Sequence, residues 1–371
     1  MRVGIRTFHR AHNCGAMLQA WALKTILERW RHIVEFPRIE GYFAPPRQYG
    51  LVSERKLSGI RRWRRFVYEV ASKVFAVGFN NPSYDRYEWF QKKWLPEQDV
   101  GDDFARRYDI VVLGSDQIWN LGLVGELAPS FLGEDIPDKL PHITYAASCG
   151  DALPPSSMQR RRLLSALQGF KAVSVRERTF ATWLSQESNS HVEFVVDPTL
   201  LLLKDDYSQL ENIDNIPSRP YLFAYANGID KSAANFFREI AKKCRLPVII
   251  APTDAWTRLG LPGGMTLGIS PDSFLGFIKE CSGVIASSFH GAAFSIIYQK
   301  PFVCYKRNRN IGQSRVWNLL NEIGETNRLV SSNDSLNKIA SLLQSPISLD
   351  AEQKLGNLRV RSMAWLKANL K

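Results

Sequence analysis

One histidine in this chain stands where chemistry is easiest to build. Residues 283–303 read Gly-Val-Ile-Ala-Ser-Ser-Phe-His-Gly-Ala-Ala-Phe-Ser-Ile-Ile-Tyr-Gln-Lys-Pro-Phe-Val. The apolar run 284–286 predicts a buried strand, and Ser287, Ser288, Phe289, His290 and Gly291 a small polar turn. The periodic residues from Ala292 predict a helix that stops near Lys300 and Pro301, with another strand over 301–305. His290 thus falls at the carboxyl end of a strand and the amino end of a helix. Open α/β sheets bind ligands there, and free backbone N–H groups attract anions. A lone histidine is usually structural, but one beside two hydroxyls and a glycine at such a place is the stronger candidate for function.

The other candidates are weighed the same way. Arg176 and Arg178 flank a predicted helix start, where the helix dipole disfavours cations. A bound anion would offset that cost, and a salt bridge through Glu177 or Asp197 is the plainer explanation. Asp116, next to Ser115 in Gly-Ser-Asp-Gln, is either a general base or the N-cap of the helix after it. Asn13 and Gly15 suit a tight turn ahead of the first long helix, and Asp197-Pro198-Thr199 reads as turn chemistry. Lys306, Arg307, Arg309 and Arg315 follow the last strand, forming either a second anion clamp or a solvated basic loop. No His, Cys or carboxylate cluster has metal spacing, and neither a Walker loop nor a full dinucleotide fingerprint is present.

The elements that must position these groups alternate. Strands are expected at 2–8, 32–39, 108–113, 142–147, 172–175 and 192–196, with helices over 16–30 and 84–94. After a polar linker near 204–219 the pattern restarts, with strands at 220–226 and 246–251 and helices at 232–244, 271–281, 315–323, 335–343 and 351–370. Repeated strand–loop–helix units argue for parallel, helix-covered sheets. The expected fold is α/β, with two Rossmann-like domains facing across a cleft. The first would span 1–210, the second 215–345, and a closing helix 346–371. Polar clusters at the inferred strand ends (His12/Asn13, Ser115/Asp116, Ser148/Cys149, Arg176/Arg178, Ser287/Ser288/His290) would then converge on that cleft.

Composition sets the limits. The chain has 371 residues, 45% hydrophobic and 23% charged, enough for two cores. No apolar stretch is long enough to span a bilayer, and the first residues read as a strand rather than a signal peptide. Five scattered cysteines make no metal spacing and are expected to be reduced thiols in a cytoplasm. A net charge of +12 implies an anionic partner. Within an irregular basic excursion at 40–80, residues 55–66 crowd Arg55, Lys56, Arg61, Arg62, Arg64 and Arg65 around Trp63 and Phe66. This is either a solvated helix face or a peripheral contact with the inner face of a membrane. No nucleic-acid motif is recognisable.

Several pieces, in order along nearly the whole chain, resemble the polysaccharide pyruvyl transferase family. The more specific are Gly-Ser-Asp-Gln-Ile-Trp-Asn at 114–120 and Ser-Phe-His-Gly at 288–291. Supporting pieces lie at 13–23, 145–148, 174–177, 196–200, 270–274 and 300–302. The resemblance implies a GT-B-like fold. It also implies transfer of pyruvate from phosphoenolpyruvate onto two hydroxyls of a sugar, giving a cyclic ketal and phosphate, with no cofactor. The acceptor would be a surface-polysaccharide precursor such as a lipid-linked saccharide. By this resemblance His290 is the acid and Arg176 an anion ligand, while Ser288 and the Gly291 backbone help hold phosphate. Some members carry Arg-Leu-His where this chain has Ser288-Phe289-His290, so Arg315, then Arg307, is expected to supply the missing cation. Cys14 replaces a common aromatic, which argues against a catalytic thiol. A nucleotide-sugar glycosyltransferase shares the fold and the need for cations. A non-catalytic saccharide-binding relative is the remaining alternative.

Overall fold

The computed structural model describes residues 1–39, 82–125, 128–151, 156–214, 216–226, 230–252, 269–306 and 314–371. The basic excursion, with residues 55–66, and Arg307 lie outside the described residues. Two five-stranded sheets organise the molecule, and every pairing in them is parallel. The first contains β1 (Arg2–Arg6), β2 (Ile33–Pro37), β3 (Glu97–Gln98), β4 (Ile110–Leu113) and β5 (His142–Thr144), in the order β3-β2-β1-β4-β5. A short parallel pair, β6 (Ser174–Val175) and β7 (Glu193–Phe194), continues it through single bridges from Ile143 to Ala172 and from Ala147 to Val175. The second contains β8 (Leu222–Ala226), β9 (Val248–Pro252), β10 (Gly283–Ala286), β11 (Phe302–Tyr305) and β12 (Leu329–Val330), in the order β12-β11-β10-β8-β9.

The central strands are apolar on both faces, which demands helices on both sides. Every residue of β4, β8 and β10 is buried. The helices that bear on the site are α1 (Cys14–Arg29), α2 (Pro82–Trp94), α3 (Arg178–Ser188), α4 (Pro198–Leu201), α5 (Pro271–Glu280), α6 (Phe289–Ile297), α7 (Arg315–Ile323) and α8 (Leu349–Asn369). The sheets make two Rossmann-like halves, as a GT-B-like fold requires. One apolar core runs through both, from Val3 and Leu18 to Phe274 and Phe294. Tyr207 joins the halves, with its ring 5.4 Å from Trp21 and 5.1 Å from Phe294. α8 returns to the first half, where Ser362 Oγ accepts the Val196 N–H at 3.0 Å and Arg359 Nε donates to the Leu200 carbonyl.

Strand order decides where a ligand can sit. The order in which the chain adds strands reverses between β1 and β4 in the first sheet and between β8 and β10 in the second. Outside the carboxyl ends of such neighbours the connections diverge and leave a crevice. The residues at these two places are Ser115 and Asp116, just past β4, and Ser287 to His290, just past β10.

Candidate functional site

Past β4 the backbone turns sharply. Gly114 has φ +113°, and a Cβ there would lie 2.3 Å from the Tyr145 carbonyl oxygen, so a side chain is barred twice over. Ser115 and Asp116 are thereby held against the neighbouring strand ends, and both are buried. On the facing half, Ser288 caps α6, its Oγ accepting the Gly291 N–H at 3.0 Å. The helix therefore begins at Phe289, not at Ala292, and His290 belongs to its first turn rather than to a loop. The apolar periodicity missed this because the capping signal lies in the polar residues ahead of it.

Arg176 anchors the first half of the site. Its Nη1 donates to Asp197 Oδ2 at 2.7 Å, Nη2 to Asp116 Oδ1 at 3.1 Å and Nε to Glu177 Oε1 at 3.1 Å. The guanidinium has no exposed surface and lies 4.6 Å from the ring centre of Phe289 on the facing half. Burial alone would make it less basic, but Asp116, Asp197 and Glu177 raise it above its ordinary value. Arg176 was expected to hold a donor anion. In the structure Nε, Nη1 and Nη2 each donate to a buried carboxylate instead, so the salt-bridge explanation accounts for three of its five N–H groups.

His290 meets this cluster from the other half. Its Nε2 lies 3.7 Å from Asp197 Oδ2, an ion-pair contact longer than a hydrogen bond. Nε2 is buried and has no hydrogen-bond partner among the described residues. The ring packs on the start of α1 so closely that a Cβ on Gly15 would be 2.0 Å from Nδ1 and 2.2 Å from Cγ. His290 and Arg176 thus share one junction between the halves, bridged by Asp197. About a tenth of the His290 side chain stays exposed, whereas Arg176 is closed off.

The two carboxylates nearest these groups titrate in opposite directions. Burial pushes Asp197 up, but His290, Arg176 and the Thr199 N–H hold it far below the usual carboxylate range. Burial pushes Glu177 up to about 7, even though Arg176, Ser148 and Arg315 draw it down. Thiol chemistry is disfavoured: burial pushes Cys14 up to about 12 and Cys149 higher still. All five cysteines are free.

The remaining expected residues fall as follows. Arg315 lies at this junction, its backbone N–H and Nε donating to Asp151 Oδ1 at 3.0 and 3.2 Å. Lys306 lies beside them. Burial makes its ammonium less basic, Asp151 opposes that, and Arg315 adds to it. Ser115 donates to Asp197 Oδ2 at 2.9 Å and so supports the cluster. Asn13 caps α1 by accepting the Ala16 N–H at 3.1 Å. Ser288 and Gly291 bond to each other, which leaves the first-turn N–H groups of Phe289 and His290 outside the helical ladder. His12, ahead of α1, turns to Glu88 on α2 at 3.0 Å, and Arg178 is held by Glu322. Sequence reasoning passed over Asp197 and Glu177 as site residues. Among the described residues no group of His, Cys, Asp or Glu is arranged to hold a metal ion, and no helix is long and apolar enough to cross a membrane.

Comparison with known proteins adds the following. No curated protein matches the sequence. Among solved structures, UDP-GlcNAc 2-epimerase from Methanocaldococcus jannaschii is 11% identical at a TM-score of 0.47, covering 98% of this chain and 100% of that one. A Streptomyces sp. glycosyltransferase complexed with thymidine diphosphate is 14% identical at a TM-score of 0.43, covering 98% and 96%. At such TM-scores neither likeness carries weight, and the fold rests on the two sheets. A model of the polysaccharide pyruvyl transferase family matches residues 13–309, from the α1 cap through Arg176, Asp197 and His290. On that match, the chain belongs to the polysaccharide pyruvyl transferase family.

Proposed function

We infer that this protein transfers pyruvate from phosphoenolpyruvate to a saccharide of a surface-polysaccharide precursor as a cyclic ketal. The observation that carries the reading is the juxtaposition of His290 with the Asp197–Arg176–Asp116 cluster where both sheets open. Ketal formation needs an acid for a methylene carbon, a base for a hydroxyl and cations for a departing phosphate. Protonated His290 gives its proton to the methylene carbon, and a cationic centre develops at C2. Asp116, with a tenth of its side chain exposed, takes the proton of the first acceptor hydroxyl as its oxygen bonds to C2. A second hydroxyl then bonds to C2 and returns its proton to His290, while the C2–phosphate oxygen bond breaks and phosphate leaves with the proton taken up by Asp116.

Asp197, held ionised, lies 3.7 Å from the ring nitrogen and orients His290. Arg176 acts through the carboxylates it fixes. Arg315 and Lys306 are the cations placed to meet the donor's phosphate and carboxylate, in the role assigned from sequence to Arg315. On this reading the reaction takes place in the cytoplasm, at the inner face of the membrane for a lipid-linked precursor. The test is acceptor-dependent phosphate release from phosphoenolpyruvate, with His290→Ala expected to lose about 10²- to 10⁴-fold in rate. An unchanged rate in that variant removes His290 from the chemistry.

A further inference from the structure

The cluster around Arg176 is short of positive charge. One guanidinium faces the carboxylates of Asp116, Glu177 and Asp197. Surplus negative charge in a buried site is costly unless it is neutralised. Asp197 is not the group that yields, because its neighbours hold it ionised. Glu177 is the candidate. Its Oε1 accepts from Ser148 Oγ at 2.8 Å and from Arg176 Nε at 3.1 Å. Its Oε2 is buried with no hydrogen-bond partner among the described residues. An orphaned oxygen in a polar site is open to a partner, and an anionic ligand can supply one.

The groups facing Glu177 come from several elements. Arg176 precedes it in the chain, and Arg178 after it turns away to Glu322 at 2.6 Å. Ser148 and Cys149 approach from the segment after β5, and burial together with Glu177 keeps the Cys149 thiol neutral. From the second half comes Arg315, whose charge draws the Glu177 carboxyl down and which Asp151 partly occupies. Burial outweighs these influences and sets the carboxyl near 7.

We propose that Glu177 receives the anionic donor as a neutral carboxyl, taking up a proton as the donor binds. This rests on the donor reading above. An ionised Glu177 sets like charge against the incoming phosphate and carboxylate. A neutral one offers an O–H at the orphaned Oε2 as a hydrogen-bond donor to an anionic oxygen. The bond formed is O–H to anionic oxygen, the proton comes from solvent, and no covalent bond changes.

The experiment is calorimetric titration of phosphoenolpyruvate, with inorganic phosphate as a second probe, at about pH 8 in buffers of different ionisation enthalpy. Wild-type protein is expected to take up close to one proton more per donor than Glu177→Gln. Its affinity should also weaken by about tenfold per pH unit above neutrality, with a flatter profile in the variant. Equal uptake in the two proteins overturns the proposal while leaving the donor reading intact. Failure of the wild type to bind either probe overturns the donor reading and this proposal with it. If Glu177→Gln does not fold, Ser148→Ala decides: it removes a hydrogen bond that favours the ionised form, so the break in affinity must move to higher pH. An unmoved break overturns the proposal.

Discussion

Replacing Gly15 with alanine puts a single methyl group where two halves of the molecule meet. The added carbon would lie 2.0 Å from Nδ1, 2.2 Å from Cγ and 2.7 Å from Cβ of His290. Ordinary contact begins at 3.4 Å, so the ring has to retreat by roughly 1.4 Å. A displacement of that size at a reacting group costs on the order of 100-fold in rate. Stability should move much less. Gly15 sits inside α1, where alanine is preferred over glycine by about 1 kcal/mol, and this offsets overpacking of about 1–3 kcal/mol. The net cost is therefore on the order of 2 kcal/mol. Acceptor-dependent phosphate release gives the rate, and urea unfolding gives the stability. The expected outcome is a folded protein with a crippled rate. A folded Gly15→Ala variant with the wild-type rate would refute the reasoning, since an imidazole in that contact cannot both keep its place and tolerate the methyl.

Other expectations follow from the same geometry. Arg176→Ala leaves three carboxylates buried without their cation and should lower stability by about 3–5 kcal/mol. Arg176→Lys should not restore it, because one ammonium cannot reproduce the forked geometry; a wild-type urea midpoint in either variant would contradict this. Arg315→Ala should raise the KM for phosphoenolpyruvate by about 10- to 100-fold with kcat little changed, and an unchanged KM takes Arg315 out of donor binding. Glu177 also makes stability depend on pH without any ligand. Its folded value near 7 lies above the ordinary 4.5, so its contribution to stability is fully present below 4.5 and is lost as pH rises through 7. Glu177→Gln should remove this loss, which is of order 3 kcal/mol by about pH 9; parallel unfolding profiles for the two proteins would contradict it.

The sequence reached the two switch points because chemistry there is carried by short polar runs between apolar strands. Asp116 and His290 stand at those run ends, and the structure places both at the junction. What it could not resolve was the use of each group. Arg176 looked like an anion ligand, and its plainer explanation, a salt bridge through Glu177 or Asp197, holds for both partners at once. Asp197 read as turn chemistry, and one of its oxygens does cap α4, accepting the Thr199 N–H at 3.0 Å. The other oxygen faces His290, and that second use depends on contacts between distant parts of the chain. The tight approach of Gly15 to His290 is hidden for the same reason. Local patterns report hydrogen bonds made within a few residues. They are silent about which strand ends the packing of α1, α5 and α6 brings together.

The thiols have a practical bearing on how the protein can be labelled. Four of the five are buried, Cys244 is half-buried, and burial pushes every one away from the thiolate. Only thiolates react readily with maleimides, so the native surface should be nearly silent to such dyes at neutral pH. A cysteine introduced at Asp151, whose side chain is 57% exposed at the rim, would then be a single addressable handle. A fluorophore there would report on the surroundings of Asp151 as ligands are added, with no need to strip the protein of its own sulfur first.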